Sequence, residues 1–100
     1  MSLAVEFLSG ADADLQAAFD RFEDYREGLG VEFMTAVDAY LTRISVFPEM
    51  APVYHHPVQR QVMQRFPYGI FYTTQAERVI VMAILDLRQD EGQIRKRLRV

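Results

Sequence analysis

The densest grouping of side chains able to do chemistry is Arg65-Phe66-Pro67-Tyr68-Gly69-Ile70-Phe71-Tyr72. Read as a strand from Tyr68, it puts Tyr68, Ile70 and Tyr72 on one face and Gly69 and Phe71 on the other. Arg88 and the tail bases Arg95, Lys96, Arg97 and Arg99 lie beyond the next strand, where the chain can gather them at one sheet edge. Guanidinium groups beside tyrosine rings contact phosphates, stack on bases or meet an acidic protein surface. The residues expected to touch a target are therefore Arg65, Tyr68, Tyr72, Arg88, Arg95 and Arg97. Tyrosines in such a run also serve as half-buried sheet residues, the commoner role for Tyr68 and Tyr72. The cluster has no histidine, and arginine stabilises charge without readily accepting a proton.

Other chemistries find little footing. His55 and His56 are adjacent in a proline-rich stretch, with no cysteine and no histidine at i+3 or i+4. Neighbouring side chains on an extended chain point apart, so the pair reads as structural or solvent-facing. No turn ties either histidine to a serine for nucleophilic hydrolysis. Gly28 and Gly30 read as helix punctuation, not as a phosphate cradle. Neither a metal nor a cofactor is expected.

Those side chains need a scaffold, and 100 residues supply one small domain spanning 1–100. Half of the residues are hydrophobic and 12% aromatic, which argues against disorder. No apolar run approaches the ~20 residues of a membrane span, and no basic-then-apolar leader opens the chain. The absence of cysteine fits a cytoplasmic protein whose core holds by packing alone. Net charge is −3, but residues 1–50 carry ten acids against three arginines, and residues 51–100 carry eight bases against four acids. Such segregation points to two faces with different partners.

The scaffold reads as strand, helix, helix, then three strands. Residues 3–8 alternate around Glu6 as a strand. Asp12 or Asp14 then caps a helix running to Glu27, whose stripe is Leu15, Ala18, Phe19, Phe22 and Tyr25. Asp20, Arg21, Asp24 and Glu27 fall on its solvent face. A second helix over 31–47 carries Phe33, Val37, Tyr40, Leu41, Ile44 and Phe47, and Pro48 ends it. The short glycine-containing connection makes the two an antiparallel hairpin. Residues 49–57 read as a loop, followed by strands over 61–66, 68–74 and 78–85 and a basic tail with a helical turn. Val79 to Leu85 is apolar on both faces, as a central strand requires. The expected fold is α+β: an N-terminal strand, a helical hairpin and a three-stranded antiparallel meander, with Phe19, Phe22, Phe33, Val37, Leu41, Ile70 and Val81 buried.

In this order and spacing the residues resemble a known family. Arg65 to Tyr72, the apolar strand Val79 to Leu85 and Arg88-Gln89-Asp90 are similar to the RelE/ParE superfamily of toxins from bacterial type II toxin–antitoxin operons. Ala13-Asp14-Leu15, Tyr25 to Gly30, Phe33, Ile44 and Phe47-Pro48 resemble that family's helical hairpin, so the likeness spans residues 3–98. The resemblance implies an antitoxin partner that wraps the hairpin and the sheet edge near the tail. It also implies one of two activities. ParE-like members poison DNA gyrase by binding it; RelE-like members cut messenger RNA on the ribosome. Nuclease members often carry an arginine where Gly69 stands, many of both branches carry a histidine where Asp86 stands, and the tail here lacks tyrosine and histidine. The expectation is thus a ParE-like, plasmid-stabilisation type of toxin with no membrane partner. The alternatives are a RelE-like endonuclease with Arg65 and Arg88 as catalytic charge stabilisers, or a degenerate toxin that keeps only antitoxin binding.

Overall fold

The computed structural model describes residues 2–100, which run β1 (Ala4–Phe7), α1 (Ser9–Tyr25), α2 (Leu29–Val46), β2 (Val53–His55), β3 (Val58–Val62), β4 (Tyr68–Gln75), β5 (Arg78–Asp86) and α3 (Glu91–Leu98). The strands form one sheet in the order β1-β5-β4-β3-β2. From β2 to β5 it is an antiparallel meander, and β1 joins the far side of β5 in parallel, with Phe7 opposite Val81. The α+β architecture and the helical hairpin are as expected.

Three details differ. The meander has four strands, because Val53–His55 pairs with β3 in a segment expected to be loop. Pro52 and Pro57 flank only four residues there, and such a short run is stable as a sheet edge, where missing N–H donors are tolerated. The next strand is Val58–Val62 instead of 61–66, since the chain turns at Phe66, whose carbonyl accepts from the Tyr68 N–H at 2.8 Å. The tail is a two-turn helix. Asp90 caps it by accepting from the Gln93 N–H, and Ile94 and Leu98 are buried one turn apart. Two apolar positions are too few for periodicity to announce a helix.

The hairpin's turn is held by one side chain. The Glu23 carboxylate accepts the N–H groups of Gly28, Gly30 and Val31 at 3.1, 2.8 and 3.3 Å, filling the orphan donors at the start of α2. The Gly28 hydrogen bond, followed by those of Gly30 and Val31, holds this carboxyl below its usual range against partial desolvation. Gly28 has φ of 87°, which favours glycine, and a Cβ on Gly30 would lie 2.7 Å from the Phe19 carbonyl oxygen. Helix α1 starts at Ser9, so neither Asp12 nor Asp14 is its cap.

The core has two layers. Between hairpin and sheet, Phe33 and Val37 of α2 join Ile70, Tyr72, Val79 and Val81, all essentially buried. On the other face Val58, Phe71, Ala83 and Leu85 meet Ile94 and Leu98 of α3. A bulge makes this possible: Phe71 pairs with Ala83 and Tyr72 with Val81, leaving Met82 as the extra residue. It shifts side-chain parity, so Val79 and Val81 face the hairpin before it and Ile84 after it. Leu41 is buried as expected, but Phe19 and Phe22 are only half-buried. Tyr25 and Phe47, placed on the stripes by spacing, end their helices 83% and 57% exposed.

Phe33→Ala should remove a wholly buried ring and cost ~3–5 kcal/mol in denaturant unfolding. Phe47→Ala should stay within about 0.5 kcal/mol. Equal effects would mean that the hairpin's inner face is misassigned.

Candidate functional site

The neighbouring ends of β4 and β5 create the site. Tyr68 pairs with Asp86, and the Leu87 N–H donates to the Pro67 carbonyl at 2.8 Å, so the 65–67 turn and the 86–89 turn lie side by side. Around this end four arginines share two carboxylates. Arg88 donates Nε to Asp86 Oδ1 at 3.0 Å and Nη2 to Oδ2 at 2.7 Å, while its backbone N–H donates to Oδ1 at 2.9 Å. Arg21 of α1 brings Nη1 to 3.8 Å from Oδ2 of the same carboxylate and donates to the Tyr68 hydroxyl at 3.0 Å. Glu32 of α2 takes Arg26 at 3.0 Å and Arg65 at 2.5 Å.

Aromatic rings connect the two groups. Phe22 and Phe33 each stack edge-on or tilted against Phe66 and Tyr68 with centroids 5.1–5.7 Å apart, and the Arg65 guanidinium lies 5.2 Å over Phe66. The Arg88 hydrogen bond holds the Asp86 carboxyl below its ordinary range, and the Arg65 and then Arg26 hydrogen bonds do the same for Glu32. Burial pushes the Tyr68 phenol up. The carboxylates stay ionised and the phenol stays protonated at neutral pH, so this arrangement presents carboxylate-paired guanidinium donors to hydrogen-bond acceptors. It carries no group poised to shuttle a proton.

Arg65, Tyr68 and Arg88 of the expected target-binding set are thus brought together. Tyr68 itself is 4% exposed and contributes only its hydroxyl. Tyr72 is a core residue: it is wholly buried and its hydroxyl donates to the Pro48 carbonyl at 2.6 Å. Arg95 and Arg97 lie on α3, behind the sheet. Arg97 is a fastener, gripping Asp14 of α1 in two hydrogen bonds at 2.8 and 2.7 Å. Asp14 in turn accepts the Ile84 N–H at 3.0 Å. His55 and His56 are exposed, and no group of three potential metal ligands occurs among the described residues.

Sequence reading missed Arg21, Arg26, Glu32 and Asp86 as parts of this end. Arg21 sits on the polar face of its helix, where spacing gives no sign of a distant tyrosine. Only the strict order Asp86-Leu87-Arg88 carried a local signal, a carboxylate two residues from an arginine across a turn.

No family model matches this sequence, and no curated protein does. Shape gives the match. A chain of the solved structure "Chromosomal ParDE TA system from P. aeruginosa" superposes with a TM-score of 0.76 at 13% identity, covering 87% of this chain and 98% of that one. The chain has the ParE-like fold. At that identity the likeness is one of backbone. No helix among the described residues is long and apolar enough to cross a membrane.

Asp14→Ala strands the Ile84 N–H and frees Arg97, so it should cost about 1–3 kcal/mol in urea unfolding, against about 0.5 or less for exposed Asp20→Ala. Acid should weaken the fold in a set direction. Glu23, Glu32 and Asp86 have lowered pKa values in the folded state, so their stabilisation is complete above the ordinary carboxylate range and lost as pH falls through the lowered values. Unfolding followed from about pH 6 to about pH 2 should show stability falling below about pH 4, with a shallower fall in Glu23→Gln.

Proposed function

We propose that this chain is the toxin of a bacterial type II toxin–antitoxin pair, ParE-like in action, and that it works by binding a protein target, DNA gyrase, in the cytoplasm. The carrying observation is the backbone match to a chain of a ParDE structure over nearly all of that chain. The chemistry of the arginine end supports binding over cleavage. Its carboxylates are held ionised, its one phenol is held protonated, and it has no histidine. Position 69, an arginine in many nucleases of the resembled family, is a glycine whose missing side chain would meet Leu87 at 3.0 Å and Arg60 at 3.4 Å. The cognate antitoxin is a separate protein that neutralises the toxin, covering the hairpin and the sheet edge.

Arg88 is the test residue. It is exposed and pairs only locally, so Arg88→Ala should fold normally and unfold within about 0.5 kcal/mol of wild type. Expressed without antitoxin, the wild-type chain should arrest growth and, purified, inhibit gyrase supercoiling while messages in a translating extract stay intact. Arg88→Ala should lose both effects. Message cleavage by the wild-type chain, abolished in Arg88→Ala, would overturn the gyrase reading in favour of a nuclease.

A further inference from the structure

The arginine end holds more cationic groups than its net charge suggests. Arg21 and Arg88 share Asp86, and Arg26 and Arg65 share Glu32, so four guanidinium groups present about two net charges. The pairing is also directional. Asp86 occupies the Nε and Nη2 fork of Arg88, the edge that would otherwise grip a phosphate in two parallel hydrogen bonds. Glu32 lies between Arg26 and Arg65, one oxygen to each. Flanking Arg21, the exposed face of α1 adds Asp20 and Asp24. What remains free on each guanidinium is its outer N–H groups and its planar face, which suit neutral acceptors such as backbone carbonyls.

We propose that Asp86 and Glu32 are specificity-determining residues of this surface: they hold the four arginines against nucleic-acid phosphates and leave the site selective for a protein partner. The physical reason lies in how polyanions bind. Affinity for a nucleic-acid strand comes from lysines and arginines that neutralise phosphates and release counterions, and its salt slope counts them at ~0.7 per contact for single strands. An arginine already neutralised by a fixed carboxylate releases little. A protein surface loses nothing comparable, because its affinity draws on hydrogen bonds that the paired arginines still make to neutral acceptors. The inference rests on reading this end of the sheet as the interaction surface, and is independent of which protein it engages.

The test measures binding of a labelled single-stranded RNA of about 20 nucleotides, longer than the ~4–16 nucleotides that a small single-strand-binding OB-fold covers, across a salt series. Wild type should bind weakly with a shallow salt dependence. Glu32→Gln/Asp86→Asn should bind at least about tenfold tighter at low salt, with a slope steeper by about 1.4, two added contacts at ~0.7 each. Adding Arg65→Ala and Arg88→Ala to that variant should abolish the gain. Circular dichroism checks folding. If Asp86→Asn does not fold, Glu32→Gln alone decides, with a slope steeper by about 0.7. Folded variants with wild-type affinity and slope would overturn the proposal, as would a wild-type slope already as steep as the variant's. Because the readout is RNA affinity, its failure leaves the gyrase assay untouched, and a failed gyrase assay leaves this measurement standing.

Discussion

Strand β5 is flanked by β1 for only part of its length, and the structure turns on what happens past that point. Beyond Val81 the first strand has already bent into α1, so the Ile84 N–H faces no strand. The Asp14 carboxylate takes its place. One carboxylate thereby ends the sheet, seats α1 on it and, through Arg97, fastens α3 from the other side. An unpaired N–H at that depth would cost about as much as a sizeable share of a small domain's stability. Everything at the neighbouring end of the sheet, including the position of Arg21 on α1 relative to Tyr68 and Asp86, inherits its geometry from this junction.

Most of the architecture was legible because its signals are local and periodic. The stripes Phe33-Val37-Leu41-Ile44 and Tyr68-Ile70-Tyr72 each declare a buried face over several turns or pleats. Proline and glycine marked the ends of α2 and the hairpin turn. Edge strand β2 and helix α3 were hidden because each offers too few residues for a period, and their stability comes from what they pack on. The half-exposure of Phe19 and Phe22 follows from where α1 crosses the sheet, which no single helix can announce.

The site was legible in part for the same reason. Arg65, Tyr68 and Arg88 belong to two strand ends that the meander must bring together. Glu32 reaches Arg65 from 33 residues away, by tertiary packing, whereas Asp86 pairs with Arg88 across a local turn. Arginine counts alone suggested a strongly cationic surface, whereas pairing with Asp86 and Glu32 halves its charge. Tyr72 shows the opposite failure: its type suggested a surface role, but strand parity and the Pro48 carbonyl claim it for the core.

The parallel pairing of β1 with β5 also bears on how the molecule comes into being. Its first strand finds its partner more than seventy residues later, and the Glu6–Arg78 ion pair closes that same span. During synthesis the helical hairpin leaves the ribosome with its apolar stripe uncovered, and it stays so until the meander is complete. Contacts of such sequence separation slow folding, since a long loop must close before they repay it. The arginine end, built from α1, α2, β4 and β5 together, is therefore complete only once β5 is in place, and a nascent chain halted before β5 lacks Asp86 and Arg88.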